Sequence, residues 1–219
     1  MNNPTNPTNP GTPGAPPDVD QLIRHTTGRL YRHIATRLAL AVVLLAVPFV
    51  ATAAGYDAAL PFFCIPAGLF VLIFLVLRLR HGSRLGVCKK VLRAYPLEYR
   101  TRVSKKASQW QYLGDVHTVR VSVRGQQGAP TLRALNAATV RRWPKGAEEA
   151  GAWFAGDAAF GGVLVLPAGG EIFFVQPAEW EKSAAERDAA DPQRRSLAEQ
   201  TGISRLLERE PNLIAALGR

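Results

Sequence analysis

Residues that usually mark a catalytic or metal centre are scarce in this chain. Its 219 residues include only two cysteines and four histidines, with neither zinc-ligand nor disulfide-framework spacing. Cys64 lies inside an apolar segment and Cys88 lies beyond its end, so we expect two free thiols. The sequence also lacks a Gly-x-Ser-x-Gly elbow and a phosphate-binding loop. It therefore predicts no catalytic residue, no metal site and no cofactor.

His117 is the only histidine outside the basic segments that flank the apolar region. It follows Asp115 by two residues, so on a strand the two side chains would share a face. A catalytic pair would also need a nucleophile or a metal, and the sequence supplies neither. We therefore favour a non-enzymatic protein. A deep polar pocket containing His117 would instead favour a membrane-tethered enzyme or ligand sensor.

Acidic residues are few in the first two thirds of the chain. Residues 1–140 contain 17 Lys or Arg and 5 Asp or Glu, a net charge of +12, whereas residues 141–219 contain 10 and 12, a net charge of −2. Basic charge that flanks an apolar segment indicates membrane topology. Nucleic acid is not an expected partner, because no aromatic platform accompanies the basic residues.

The segment from Leu38 to Leu77 lacks lysine and arginine altogether, and Asp57 is its only charged residue. As one helix its 40 residues would extend roughly 60 Å, twice the thickness of the hydrocarbon core of a bilayer. An interruption at residues 55–58, which hold a glycine, a tyrosine and the aspartate, divides it into 38–54 and 59–77. Each part has about the length of one membrane span. The sequence therefore predicts a transmembrane helical hairpin with an external turn at 55–58.

Basic residues on both sides of this hairpin predict its orientation. Four precede the first span and six follow the second, while the turn has none. The positive-inside rule then places both termini in the cytoplasm, as in a multi-pass protein of the cell (inner) membrane. Two alternatives remain open: a signal peptide cleaved near 51–53, and a helical hairpin buried in a soluble protein.

The remaining segments differ in composition. Residues 1–20 are rich in proline and asparagine and predict a disordered tail. Residues 21–37 predict a basic amphipathic helix next to the membrane, and 78–96 a second basic juxtamembrane segment.

Alternating apolar and polar residues begin at Leu97 and predict six to seven short strands within 97–177. Residues 178–219 predict C-terminal helices. The fold class is thus a membrane α-helical hairpin with a cytosolic α+β domain, in which a small antiparallel β barrel or sandwich precedes the helices. This arrangement is similar to pleckstrin-homology-like folds.

Two stretches, "VLRAYPLEYR" and "GGVLVLPAGGEIFFVQPAEW", carry a resemblance to a known group of proteins. The layout of spans and β region resembles uncharacterised two-span integral membrane proteins of high-GC actinobacteria. That group has no assigned activity, so the resemblance implies a membrane location and nothing more.

Basic side chains near the apolar run are the candidate contacts to anionic lipid headgroups. The candidates are Arg29, Arg32, Arg37, Arg78, Arg80, Arg84, Lys89, Lys90, Arg93, Arg100, Arg102, Arg120 and Arg124. We expect the strand arginines among them to form a basic face directed towards the membrane. The C-terminal helices would then be free for a protein partner, in an adaptor or regulatory protein. The sequence leaves the oligomeric state open.

Overall fold

The computed structural model describes residues 15–56, 62–111, 114–122, 130–137, 143–167 and 170–209. At 77–83, 108–111, 114–115 and 207–209 it describes the backbone alone. Most of the predicted tail, the predicted turn from Asp57 onward, Arg124 and the last ten residues lie outside this description.

The first helix, α1, is continuous from Val19 to Ala53. It begins at Asp18, whose Oδ1 accepts hydrogen bonds from the backbone N–H groups of Asp20 and Gln21 at 3.0 and 3.1 Å. It ends just before Gly55, which has a φ of +81° that glycine adopts readily. The predicted juxtamembrane helix and first apolar helix are therefore one element with no joint between them.

The second long helix, α2, runs from Cys64 to Ala94 and packs antiparallel against α1. Near the interrupted region, Gly68 lies against Leu45 of α1. At the opposite end, Arg93 Nη2 lies 3.2 Å from Asp20 Oδ1.

One of these helices, α1, is long and apolar enough to cross a membrane, with a mean hydropathy of 2.3 in its most apolar window. A signal sequence near the N-terminus would have the same length and composition. The apolar part of α2 that the structure describes with side chains, Cys64–Val76, is shorter.

Seven antiparallel strands form one curled sheet, a half-barrel, in the order β1-β5-β6-β7-β4-β3-β2. The strands are β1 (Glu98–Arg100), β2 (Arg102–Gln111), β3 (Gly114–Ser122), β4 (Thr131–Asn136), β5 (Ala152–Asp157), β6 (Gly161–Leu166) and β7 (Glu171–Pro177). Only Thr101 separates β1 from β2, although these two strands stand at opposite ends of the sheet order. The bend at Thr101 therefore links the two edges and curls the sheet.

Side chains from β2 to β7 fill the concave side of this sheet. Val119, Leu132, Phe154, Leu164 and Phe173 are each at most 5% exposed and belong to one apolar cluster. The alternation seen from Thr118 to Ser122 in β3 follows from this arrangement, because only one face of that part of the strand is covered.

The convex side of β5, β6 and β7 is covered by the two long helices. Leu22 and Leu30 of α1 and Leu85 of α2 join a second apolar cluster with Val163 and Val165 of β6. Strand β6 is buried at every position because it lies between both clusters.

Short helices complete the chain: α3 (Ala147–Ala150), a 3-10 turn (Glu181–Ser183), α4 (Ala184–Asp188), α5 (Pro192–Thr201) and α6 (Ile203–Arg209). Pro177 ends β7 and pairs with Leu132, so the helical region begins after it. Gly202, at φ +77°, separates α5 from α6. Helix α5 packs on α2, and Arg194 forms two hydrogen bonds, of 2.6 and 2.9 Å, with the carboxylate of Asp157.

The strands give the β domain a proximal end, near the apolar half of the hairpin, and a distal end. Glu171 marks the proximal end, because Arg29 of α1 contacts it. Asp157 marks the distal end, because its charge acts on Tyr95, which follows the last residue of α2. Burial raises the pKa of Tyr95 to about 12, and the Asp157 charge contributes to the rise. Glu171 and Pro177 are six strand positions apart, which separates the two ends by roughly 20 Å.

Candidate functional site

A narrow basic zone lies on the two long helices, between the part of each helix that packs on the β domain and its apolar part. Arg32 is exposed and Arg37 half-buried on α1, while Arg78 and Arg80 occupy the corresponding stretch of α2, where the backbone alone is described. Tyr31 in the same zone is 67% exposed. We call the four arginines the juxtamembrane basic zone.

Arg84 does not belong to that zone, contrary to the sequence-based expectation. Its side chain is 2% exposed, on the face of α2 that also buries Leu85 and Cys88. Burial raises the pKa of the Cys88 thiol to about 12, with the nearby Arg84 charge opposing that rise. A side chain buried in this way cannot contact a lipid headgroup.

Arg29 binds the β domain. Its Nη1 lies 3.9 Å from Glu171 Oε1, and Asn136 Nδ2 donates a 2.8 Å hydrogen bond to Glu171 Oε2. The Glu171 side chain is only 11% exposed, and this burial raises the pKa of its carboxyl group, while Arg29 and Asn136 partly offset the rise. The cluster therefore joins α1 to the proximal end of the sheet.

The last basic residues of α2 lie far along the helix from its apolar part. Lys90 is thirteen residues beyond Leu77, or roughly 20 Å at the helical rise. Lys89 is half-buried, and Arg93 is paired with Asp20. The structure thus does not bring these three residues together with the juxtamembrane basic zone.

Two of the strand arginines, Arg102 and Arg120, lie towards the distal end. Arg120 pairs in register with Thr131, and the next position of β4, Leu132, pairs with Pro177. Arg102 pairs with Ser122, two residues further along β3. Arg102 and Arg120 are thus separated from the apolar half of the hairpin by most of the length of the sheet. Arg100 pairs with Ala152 of β5, and it lines the cavity described below. Arg124 falls outside the described residues.

His117 is a core residue. It is 2% exposed, and its ring lies edge-on to Trp143 and Phe173, at centroid distances of 5.2 and 6.1 Å. It does not line either cavity described below. Within the described ranges no group of three or more His, Cys, Asp or Glu side chains is arranged to hold a metal.

A small cavity opens at the distal end of the half-barrel, and we call it the distal cavity. Its volume is about 100 Å³, and Arg100 is the only charged residue among the described residues that line it. Its other lining residues are Val121, Pro130, Leu132, Phe154 and Ala158. The sequence patterns did not reveal this site, because its walls come from four separate strands and two turns.

A second cleft, of about 180 Å³, lies among the C-terminal helices. The Cζ atom of Arg187 stands 3.5 Å from the centre of the Trp180 ring, and Arg187 Nη1 donates to the Trp180 carbonyl. Arg195 Nε donates to the carbonyl of Ala190. Both guanidinium groups therefore serve to hold the turns around α4.

Comparison with known proteins adds no assignment, since no family model, curated protein or solved structure matches the chain. The resemblance to two-span actinobacterial proteins and the pleckstrin-homology-like comparison remain expectations.

Proposed function

We propose that this chain is a two-span integral membrane protein of the cell (inner) membrane, with α1 and α2 as the spans and both termini in the cytoplasm. Its β domain is then an adaptor or regulatory module held directly beneath the bilayer. One observation carries the proposal: the outer surface of the helical hairpin is apolar over the whole of residues 38–76 that the structure describes.

Fifteen of the sixteen large apolar side chains found exposed in the described residues belong to that part of the hairpin. They are Leu38, Leu40, Val42, Val43, Val47, Phe49, Val50, Tyr56, Phe62, Phe63, Leu69, Phe70, Ile73, Phe74 and Val76. Burying one such side chain completely is worth about 1.5–3 kcal/mol. For side chains about half exposed, transfer of the set into hydrocarbon is favourable by on the order of 10–20 kcal/mol. A soluble protein rarely leaves so large an apolar patch uncovered.

The second span is supported by the antiparallel packing of the hairpin. Because Gly68 lies against Leu45, a membrane that surrounds the apolar half of α1 also surrounds the first turns of α2. The backbone of α2 then continues as helix without interruption to Ala94.

Cleavage as a signal peptide is the main competing possibility, and the packing argues against it. Loss of the chain up to Ala53 would remove Leu22, Ile23 and Leu30 from the apolar cluster on the convex side of β5–β7. Each of the three is at most 8% exposed. The uncovered strands would then present valines and isoleucine to water.

The juxtamembrane basic zone is the part of the molecule best placed to bind anionic headgroups. Its four arginines adjoin the last apolar residues of each span, and each basic side chain near an anionic surface contributes about 1 kcal/mol. The strand arginines are not included, because Arg102 and Arg120 lie at the distal end and Arg100 is paired with Glu98. The C-terminal helices remain the proposed surface for a protein partner.

Labelling of single cysteines in intact cells tests the topology. In a Cys64→Ser background, a membrane-impermeant maleimide should label Tyr56→Cys from outside. It should label Lys106→Cys, on exposed strand β2, only after permeabilisation. Labelling of Lys106→Cys in intact cells would contradict the proposal, as would a mature protein whose mass lacks the first 53 residues.

The alternative is a membrane-tethered enzyme or ligand sensor. The distal cavity, with its single arginine, is the observation that favours the sensor form.

A further inference from the structure

We propose that the distal cavity binds a carboxylate that carries a short apolar group, with Arg100 as its anion partner. This inference goes beyond the membrane proposal and does not depend on it, because all of the residues involved belong to the β domain.

The shape of the cavity limits the ligand. Val121, Leu132 and Phe154 provide apolar walls from β3, β4 and β5. A volume of about 100 Å³ has room for on the order of seven water-sized atoms. An apolar group of four to six carbon atoms, or about that size, therefore fits, whereas a nucleotide or a sugar phosphate does not.

Arg100 is held in place but has hydrogen-bonding capacity left. Its Nη2 binds Glu98 Oε2, and its Cζ atom lies 5.7 Å from the centre of the Phe154 ring. Its side chain is 20% exposed, and its buried Nε has no acceptor among the described residues.

The chemistry of the guanidinium group favours a carboxylate. Its planar donors match the two oxygens of a carboxylate, and Glu98 accepts from one of these donors, Nη2. Glu98 neutralises part of the Arg100 charge, and Arg102, two residues further along the chain, adds another positive charge.

The carboxylate could come from a free small acid or from the C-terminus of a protein, and the experiment separates these sources. Isothermal titration calorimetry would be performed on the full chain in detergent micelles. The probes are butyrate, benzoate, uncharged benzamide, and a Gly-Gly-Val peptide with a free or an amidated C-terminus. We expect saturable binding of the small acids with a dissociation constant near 1 mM, as suits so few atoms. Tighter binding of the free peptide than of butyrate would identify a protein terminus as the source.

Three variants make the test specific. Arg100→Met should weaken binding at least tenfold, and Ala158→Leu should weaken it similarly by filling the cavity. Arg102→Met removes the same charge from an exposed position that does not line the cavity, and it should change affinity less than threefold. Circular dichroism would show that all three variants keep the fold.

Three results would overturn the proposal. One is equal binding of benzamide and benzoate, and another is affinity unchanged in Arg100→Met. The third is the absence of saturable binding up to 20 mM, on the order of twenty times the expected dissociation constant, which would mean that the cavity holds water alone.

Discussion

The docking of α2 on the β domain can be measured through the reactivity of Cys88. This thiol is fully buried, and burial raises its pKa from 9.0 to about 12. Because the thiolate is the reactive form, the ionised fraction governs the rate of alkylation. At pH 8 a pKa of 9 leaves about one thiol in ten ionised, whereas a pKa of 12 leaves about one in 10⁴. Ionisation alone therefore slows the reaction about a thousandfold, and exclusion of the reagent adds to this.

The assay follows iodoacetamide modification by mass spectrometry at pH 8, in a Cys64→Ser variant that leaves one thiol. We expect modification at least a thousandfold slower in the folded protein than in the denatured chain. Leu30→Ala should raise the rate at least tenfold, because removing a core leucine side chain costs about 2–5 kcal/mol and increases opening.

Leu69→Ala is the matched control, because Leu69 is 50% exposed on the apolar half of the hairpin. It should leave the rate unchanged. If Cys88 reacts almost as fast in the folded protein as in the denatured chain, α2 is not docked as described. Equal effects of the two leucine variants would also refute the reasoning.

Two further predictions concern stability, measured as the midpoint of thermal unfolding by circular dichroism. Because folding raises the pKa of Glu171 above 4.5, its carboxyl group favours the folded state at acidic pH and costs stability as the pH rises. The Glu171→Gln variant should therefore have a higher unfolding midpoint than the native protein at pH 8 but not at pH 4. A lower midpoint of the variant at pH 8 would mean that the attraction of the Glu171 carboxylate to Arg29 outweighs the cost of burying it. Gly28→Ala should stabilise α1 by about 0.5–1 kcal/mol, since no atom lies within 4 Å of the added methyl group. Gly68→Ala should instead lower the midpoint, because its Cβ would stand 2.9 Å from Leu45 Cγ, and equal midpoints for the two glycine variants would count against the helix packing.

The sequence predicted which segments form helices and strands better than it predicted what each of them packs against. The interruption near Gly55 indicated two helices, and the alternation around Val119 and Val121 indicated a strand with one covered face. The same patterns do not say what covers a face. Leu22 and Leu30 recur at helical spacing, which suits a lipid surface as well as a sheet, and the structure places them on β5–β7.

The candidate site shows the same limit. Arg84 lies among the basic residues that follow the second apolar segment, where arginines indicate membrane orientation. Its position on α2 nevertheless places it on the buried face of that helix, together with Cys88. The continuous apolar run of β6 was a usable signal, because a strand that lacks alternation is covered on both faces. The distal cavity had no such signal, since the pairing of β1 with β5, which no local pattern indicates, brings Arg100 to Phe154.

The absence of any loop between the apolar and docked halves of α1 has a mechanical consequence. Its 35 residues form a rod roughly 52 Å long, so the β domain cannot swivel independently of the hairpin. In a bilayer, a change in helix tilt of about 10° would carry a point 25 Å from the pivot sideways by about 4 Å. A change in bilayer thickness would thereby be converted into a lateral displacement of the whole β domain.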